Sequence, residues 1–345
     1  MAKISYLNTP YSIKNLTLKN RIVMPPMCQY TATDGMPNDW HFVHYVSRAI
    51  GGVGLIIVEM TNVAPNGRIS PNCLGLWNDE QRDQFKRIVD AVHAQNGKIA
   101  IQIAHAGRKA LGTDDVISCS SVIFDGNNEA DPKWQYKMPR ELSKDEILAI
   151  IQQFKQSTKR AVEAGFDAIE IHGAHGYLIH QFCSPKTNLR TDEYGQDKLL
   201  FGEQVLKAAK SVMPAGMPLI VRFSAQEYGK NGYDVDYGRK IAKRFAEAGA
   251  DVLDVSGGGD GQLDPTHTPD FHAGYQVYLA RAIRPVTNLP IITVGMLEDP
   301  YLADYVISTG DADLVAIGKG LLHDPYWTLH IPDSPFVPKP YKVAF

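Results

Sequence analysis

Residues 162–172 read Val-Glu-Ala-Gly165-Phe-Asp-Ala-Ile-Glu-Ile-His, a glycine at the end of a helical pattern followed by a short apolar run. Glycine is favoured just past the last turn of a helix because it adopts left-handed backbone angles without strain. The same order recurs in residues 245–256, where Gly249 precedes another apolar run. These two stretches predict helices that alternate with buried strands.

Apolar, β-branched runs recur along the whole chain with this alternation. Several are almost continuously hydrophobic, which is typical of strands in a parallel sheet that is covered on both faces. The predicted strands are 21–27, 53–60, 98–105, 167–172, 219–224, 252–256, 290–295 and 314–318. Helical patterns between them include 79–95, 143–164, 236–248 and 300–308.

Eight strands alternating with helices predict a single α/β domain over residues 1–345, a TIM (β/α)8 barrel with a long loop after strand three. The alternative is a doubly wound Rossmann-type sheet, which needs a Gly-x-Gly-x-x-Gly turn after an early strand. Gly51-Gly-Val-Gly54 precedes its strand instead, and Gly257-Gly-Gly259 comes late. The barrel is therefore favoured. The long segment 108–142, with Trp134 and Tyr136, is interpreted as a lid or small excursion.

Composition narrows the class of protein. The chain of 345 residues is 44% hydrophobic and 21% charged, as in soluble globular proteins. Its net charge of −3 supplies no basic surface for nucleic acid. It lacks an apolar run of membrane-spanning length and an N-terminal signal segment, so a cytoplasmic enzyme without a membrane partner is expected. The four scattered cysteines are interpreted as reduced thiols rather than a zinc site or disulfide framework.

The strongest functional signal follows the fourth predicted strand. His172, His175 and Tyr177 lie in one loop at the strand's carboxyl end, where TIM barrels carry their active sites. Two imidazoles and a phenol can bind an oxyanion and deliver a proton, the requirements for reducing a polarised double bond. A single histidine here would more simply cap the next helix, but three such groups favour catalysis.

None of these side chains is a hydride source, so a reduction requires a cofactor. Gly295, Gly318 and Lys319 follow the last two predicted strands, whose loops commonly hold phosphate in this fold. Simple turn glycines remain an equal alternative. Arg222, within a strand, needs an anionic partner, either a flavin ring or a carboxylate such as Glu170 or Asp254.

Three further side chains have two interpretations each. The amide of Gln102 can hydrogen-bond the edge of a uracil-like ring, although by itself this residue is weak evidence for a cofactor site. Cys28 is either a thiol beside the cofactor ring or a small buried hydrophobe. His41 and His44 suggest a metal pair, but no carboxylate is placed to join them, and we interpret them as helix-packing residues.

Collinear motifs add a family resemblance. They are Asn20-Arg-Ile-Val-Met-Pro-Pro-Met-Cys28-Gln-Tyr30, Ile101-Gln-Ile-Ala-His-Ala-Gly-Arg-Lys109, Glu170-Ile-His-Gly-Ala-His-Gly-Tyr-Leu-Ile-His-Gln-Phe182, Asn188-Leu-Arg-Thr-Asp-Glu-Tyr-Gly195 and Ile317-Gly-Lys-Gly320. With these motifs the chain resembles the old yellow enzymes, which are FMN-dependent ene-reductases built on a TIM barrel. It looks closest to the thermophilic-like branch, which has a cysteine after strand one.

The resemblance implies roles for the matching residues. Tyr177 would donate a proton, His172 and His175 would hydrogen-bond the substrate's activating oxygen, and Tyr30 would shape the substrate pocket. Non-covalently bound FMN would contact Pro25, Pro26, Met27, Cys28, Met60, Gln102, Arg222, Gly295, Gly318 and Lys319.

The activity that the resemblance implies is reduction of the C=C bond of small-molecule enones. NADPH or NADH would be the reductant, with ping-pong hydride transfer through FMN N5, and the enzyme would be a homodimer or homotetramer. Two alternatives remain open: a related flavin barrel acting on another substrate class, and a barrel that has lost FMN and serves as a binding protein.

Overall fold

Strands and helices alternate along the computed structural model, which describes residues 4–126 and 135–344. The strands are β1 (Tyr11–Ile13), β2 (Leu16–Leu18), β3 (Ile22–Met24), β4 (Leu55–Asn62), β5 (Ile99–Ala104), β6 (Ile117–Ser118), β7 (Arg140–Glu141), β8 (Ala168–Gly173), β9 (Leu219–Ser224), β10 (Val252–Ser256), β11 (Ile291–Thr293) and β12 (Leu314–Ala316).

The α-helices are α1 (Asp39–Ile50), α2 (Asp79–Ala94), α3 (Lys144–Ala164), α4 (Leu178–Cys183), α5 (Glu193–Gln196), α6 (Leu200–Lys210), α7 (Val235–Glu247), α8 (Val277–Ile283), α9 (Pro300–Ser308) and α10 (Lys319–His323). Short 3₁₀ turns lie at Pro65–Gly67, Gly107–Lys109, Arg284–Val286, Trp327–Leu329 and Lys339–Tyr341. Within the described residues, each helix is too short or too polar to cross a bilayer.

Eight of the strands form a closed parallel barrel in the order β3-β4-β5-β8-β9-β10-β11-β12, with β12 pairing back to β3. This confirms the predicted TIM barrel, and every predicted strand overlaps an observed one. The first strand ends at Met24 rather than residue 27 because Pro25 and Pro26 lack the N–H that a ladder requires. That early end frees residues 25–30 to form a loop at the rim.

Helix boundaries follow from capping side chains. Asn38, Asn78 and Ser143 begin α1, α2 and α3 with reciprocal capping boxes. Gly165 ends α3 with a φ of 92°, as predicted. In α1 the ring of His41 completes the cap of Asn38, and His44 is buried on the same helix. Both histidines thus take part in capping or packing α1. The expectation that no carboxylate lies near them is wrong, because Glu59 Oε1 lies 3.5 Å from His41 Nε2.

The amino-terminal end of the barrel is sealed by the hairpin of β1 and β2. Ile13, Leu16 and Leu18 belong to one buried cluster with the first inward-facing side chains of the barrel strands. Those barrel side chains are Val23, Leu55, Ile57, Ala100, Ala168, Ile220, Val252, Ile292, Leu314 and Ala316. This end of the barrel interior is filled by apolar side chains, which directs attention to the opposite rim for polar chemistry.

The long segment after β5 folds back on the barrel mouth. Its ends pair as β6 and β7, and the rings of Phe124 and Tyr136 meet edge to face at 4.8 Å. Phe124 also contacts Lys109, whose Nζ lies 4.4 Å from the ring centroid. Trp134, which the sequence placed in this excursion, lies outside the described residues.

The sealed end gives a stability prediction. Leu18→Ala removes a fully buried side chain from the cluster, and we expect it to lower the free energy of unfolding by about 2–5 kcal/mol in chemical denaturation. Thr17→Ala, on the exposed face of the same strand, is the control and should change it by less than about 0.5 kcal/mol. Equal losses in the two variants would mean that the hairpin does not seal the barrel.

Candidate active site

A polar layer lies inside the barrel, one step above its apolar floor. Strand side chains alternate, so the residue two positions after an inward-facing one faces inward as well. The inward residues Ala100, Ala168, Ile220 and Val252 are therefore followed by the buried polar residues Gln102, Glu170, Arg222 and Asp254. The sequence indicated Gln102 and Arg222 as site residues, and the structure brings them into one layer.

Two contacts hold this layer together. Gln102 Nε2 donates to Glu170 Oε1 at 2.8 Å, and Arg222 Nε lies 3.4 Å from Asp254 Oδ2. Burial raises the pKa of Glu170 well above its ordinary value and raises that of Asp254 too. The negative charge of Asp254 adds to the effect of burial on Glu170, so Glu170 favours its protonated form. The carboxylate partner considered for Arg222 is thus present as Asp254.

Above this layer, the three predicted catalytic residues His172, His175 and Tyr177 come together at the end of β8. The ring centroid of His172 lies 4.9 Å from that of Tyr177 and 5.3 Å from that of His175, and both pairs meet edge to face. Leu178 N donates to His105 O at 3.0 Å, so the loop after β5 anchors the helix that begins beside Tyr177. The three groups share one mouth of the barrel.

The protonation state of His172 follows from its neighbours. Ala174 N donates to His172 Nδ1 at 3.3 Å, so this nitrogen is an acceptor and carries no proton. Burial lowers the pKa of His172 well below its ordinary value, and the charge of Arg222 adds to this effect. We therefore assign a neutral ring with its hydrogen on Nε2, which makes His172 a hydrogen-bond donor.

His175 is held in a left-handed backbone conformation, with φ of 58°. Its N–H donates to Ser224 Oγ at 3.1 Å, and its Nε2 lies 2.8 Å from Ser256 Oγ. Since Ser256 Oγ donates to Gln276 Oε1 at 3.1 Å, His175 Nε2 is the donor to Ser256. Burial lowers the pKa of His175 well below its ordinary value, so it too is neutral.

An apolar wall flanks Tyr177. Cys28, Tyr30 and Tyr177 pack against a buried cluster, and Tyr30 has a left-handed φ of 53°. The members of that cluster are Met60, Ile69, Cys73, Ala104, Ala106 and Ala110. Burial raises the pKa of Tyr177 well above its ordinary value, so the phenol holds its proton at neutral pH.

The loops after β12 and β3 adjoin at an open part of the rim. A Cβ added to Gly318 would lie 3.5 Å from Met27 Sδ and 3.6 Å from Pro25 Cγ, both ordinary contacts. Pro26 and Met27 are half-exposed along this loop. A cavity of about 460 Å³ opens there, lined by Phe271, Tyr275, Val294, Gly295, Met296, Glu298, Ala316, Gly318 and Lys319.

Sequence reasoning missed Lys109 and Gln181. Lys109 Nζ donates to His175 O at 3.1 Å and lies 4.8 Å from the Tyr177 ring centroid. Gln181 Nε2 donates to Ala106 O and Gly176 O, so it joins the loops after β5 and β8. Lys109 stood within a quoted motif, yet its direction depends on the loop conformation and not on the spacing of residues.

Comparison with known proteins assigns the family. A model of the NADH:flavin oxidoreductase / NADH oxidase family matches residues 6–334. The chain belongs to this family. The resemblance to the old yellow enzymes is thereby confirmed, and this flavin oxidoreductase is an enzyme that uses FMN and a nicotinamide reductant.

Two curated relatives of this flavin oxidoreductase are named NADPH dehydrogenase. That of Clostridium acetobutylicum is 44% identical over 97% of this chain and 98% of its own. That of Bacillus subtilis (strain 168) is 44% identical over 93% of this chain and 92% of its own. Morphinone reductase in complex with tetrahydroNAD is a structural neighbour with a TM-score of 0.78 and 28% identity, covering 93% of this chain and 88% of that one. 2-Naphthoyl-CoA reductase shares the fold at TM-score 0.85 and 20% identity, over 94% of this chain and 51% of that one.

The rim of this flavin oxidoreductase fits FMN. Arg222 places a buried guanidinium in the layer below the rim, which suits an anionic ring edge above it, and its Nε contacts Asp254 Oδ2 at 3.4 Å from the other side. The open cavity at Gly295 and Gly318 leaves backbone approachable to a phosphate, and the exposed Lys319 adds positive charge. Glu298 in the same cavity opposes that charge.

Behind the Cys28 loop of this flavin oxidoreductase lies a buried carboxyl that the sequence analysis did not identify. Glu59 Oε2 accepts from Gln29 N at 2.7 Å, and its Oε1 accepts from Tyr45 Oη at 3.2 Å. His41 Nε2 lies 3.5 Å from Oε1. Burial raises the pKa of Glu59 to about 8 and lowers the pKa of His41 to about 4, so both groups are largely neutral near pH 7.

The raised pKa of Glu59 predicts a pH-dependent stability. The folded carboxyl binds a proton more tightly than the unfolded one, so its stabilising effect is lost as the pH rises towards about 8. Between about pH 6.5 and 8, the wild type should lose up to about 2 kcal/mol of unfolding free energy relative to Glu59→Gln.

Chemical denaturation of the FMN-loaded proteins at several pH values measures this difference. Glu247→Gln, which changes an exposed carboxylate on α7, is the control and should follow the wild type. Parallel pH profiles for the wild type and Glu59→Gln would contradict the prediction.

Proposed function

We propose that this flavin oxidoreductase is an ene-reductase, which reduces the C=C bond of α,β-unsaturated carbonyl compounds with NAD(P)H. The proposal rests above all on one juxtaposition: a neutral His172 with its hydrogen on Nε2 and a protonated Tyr177, their ring centroids 4.9 Å apart at the barrel mouth. An activated alkene requires both a donor at the carbonyl oxygen and a proton for carbon.

The carbonyl oxygen of the substrate binds His172 Nε2–H and the ring of His175. Neutral imidazoles suit this task because they donate hydrogen bonds that strengthen as charge develops on the oxygen. One such donor is typically worth about 2.7–4 kcal/mol of transition-state stabilisation. His175 Nε2 donates to Ser256 Oγ at 2.8 Å, so it exchanges this partner for the oxygen of the substrate.

Tyr177 delivers the proton to the α-carbon of the substrate. Its raised pKa keeps the phenol protonated until a carbanion-like carbon develops beside it. The ammonium group of Lys109, 4.8 Å from the ring centroid, favours the negative charge that forms on the phenol after transfer. Cys28 and Tyr30 complete the apolar wall that excludes water.

The chemistry that FMN supplies when bound is hydride transfer, from NAD(P)H and then to the β-carbon of the substrate. Gln102 binds the pyrimidine edge, and Arg222 balances negative charge on the ring, with Asp254 and Glu170 holding both residues in place. Pro25, Pro26, Met27, Cys28 and Met60 line the ring, and Gly295, Gly318 and Lys319 hold the phosphate. Assembly as a homodimer or homotetramer stays a prediction from the resemblance.

The proposal predicts a spectroscopic cycle. The purified protein should show a flavin spectrum that bleaches anaerobically with NADPH or NADH and returns when 2-cyclohexenone is added. The return measures electron transfer to an enone directly, so cyclohexanone, which lacks the C=C bond, is the control substrate. Bleaching without return would favour another substrate class, and a protein that stays colourless after FMN is supplied would favour the binding-protein alternative.

Tyr177→Phe separates the proton donor from the rest of the site. We expect enone reduction to slow by about 10²–10⁴-fold, while flavin reduction by NADPH changes little because it needs no proton from this residue. Stopped-flow measurements of the two half-reactions test this, with Tyr305→Phe on the exposed face of α9 as the control. Equal losses in both half-reactions would falsify the proposed role.

A further inference from the structure

Two cysteines that are far apart in the sequence lie in the apolar wall beside Tyr177. Cys28 lies in the loop after β3 and Cys73 in the loop after β4, and Cys28 packs against the buried cluster that contains Cys73. The two thiols interact there, since each shifts the pKa of the other. The two loops are joined at Ala32 and Asn72, where Ala32 N donates to Asn72 O at 2.9 Å and Asn72 Nδ2 donates to Ala32 O at 3.1 Å. These two hydrogen bonds hold the Cys28 loop and the Cys73 loop against each other.

The pair is chemically asymmetric. Cys73 is fully buried, and its sulfur accepts from Ser70 N at 3.4 Å and lies 3.7 Å from Ser70 Oγ. The hydrogen bond between the thiols lowers the pKa of Cys73 to about 7 and raises that of Cys28 well above its ordinary value. A singly ionised pair is therefore accessible near neutral pH, and this is the state in which dithiols react.

The other two cysteines are not arranged in this way. Cys119 Sγ lies 3.1 Å from Gln181 O and 3.4 Å from Thr187 O, so it donates to carbonyl groups. Burial raises the pKa of Cys119 to about 11 and raises that of Cys183 as well. These two thiols are the natural internal controls for the pair.

We propose that Cys28 and Cys73 form a peroxide-reactive dithiol that closes to a disulfide beside the active-site tyrosines. Of the two residues, Cys28 is partly exposed and Cys73 is buried, so an oxidant entering from the barrel mouth reaches Cys28 first. The oxidant is hydrogen peroxide, the usual product when a flavin enzyme passes two electrons to dioxygen.

The reaction balances in two steps. The proton of the singly ionised pair moves to Cys73, and the Cys28 thiolate attacks the O–O bond, which gives a sulfenic acid and hydroxide; the hydroxide takes the Cys73 proton and leaves as water. The Cys73 thiolate then displaces the sulfenic hydroxyl, forms the S–S bond and releases hydroxide, which solvent protonates. In total, two thiols lose two electrons and one peroxide becomes two waters.

The disulfide would tie the loops after β3 and β4 together and remove the thiol hydrogen beside Tyr30 and Tyr177. Because Cys28 is assigned to the flavin ring, the closed form should turn over enones more slowly. That consequence rests on the proposed function, whereas formation of the disulfide does not depend on it.

Mass spectrometry of the FMN-loaded enzyme tests the bond itself. After treatment with hydrogen peroxide and alkylation, digestion with trypsin without reduction should yield peptides 22–48 and 69–82 joined to each other. These peptides carry Cys28 and Cys73 as their single cysteines, and dithiothreitol should separate them. Titratable thiols should fall by two from the four of the untreated chain.

Single cysteine substitutions show which thiols form the cross-link. Cys119→Ser should keep the cross-link, whereas Cys73→Ser, or Cys73→Ala if the serine variant misfolds, should abolish it and leave Cys28 to oxidise irreversibly to sulfinic acid. Dithiothreitol should then restore the activity of the peroxide-treated wild type but not that of the Cys73 variant.

Two results would contradict the formation of a disulfide between Cys28 and Cys73. Oxidation of Cys28 to sulfinic acid in the wild type, with Cys73 still a free thiol, would overturn the proposal. So would a wild-type chain that keeps its full complement of thiols under peroxide. Joined peptides without any change in enone turnover would support the dithiol and overturn the place assigned to Cys28 beside the flavin.

Discussion

Closure of the parallel barrel is the constraint on which the rest of this molecule depends. Because the eight strands run in one direction and β12 pairs with β3, every strand delivers its carboxyl end to the same rim. The β1–β2 hairpin fills the opposite end with apolar side chains. Polar groups from loops far apart in sequence are therefore brought together at a single mouth.

The same closure creates a buried polar layer that must be neutralised internally. Two carboxyls and one guanidinium lie inside the barrel at Glu170, Asp254 and Arg222, and isolated charges there would be costly. Retention of a proton by Glu170 and the approach of Arg222 to Asp254 reduce that cost. The layer thus presents one guanidinium, that of Arg222, directly below the rim.

The side chains at the rim are positioned by loop conformations together with contacts from the ends of strands. His175 and Tyr30 both adopt left-handed backbone angles, which a side chain normally avoids and which surrounding contacts must maintain. Ser224 and Ser256 hold His175 from two neighbouring strands, and Gln181 holds the loop in front of Tyr177. Strain and its compensation are concentrated where the proposed chemistry takes place.

The sequence by itself determined the alternation of strands and helices, the polar residues at strand ends and the family, because these depend on local hydrophobic pattern and on contiguous motifs. It also placed Gln102, His172, His175, Tyr177 and Arg222 near one rim. Only the tertiary structure decided that Arg222 meets Asp254, that His175 hydrogen-bonds Ser256 and that Cys28 packs against the cluster that contains Cys73. Such contacts join side chains from different strands and loops, so they depend on barrel register and loop conformation, which no local pattern of residues encodes.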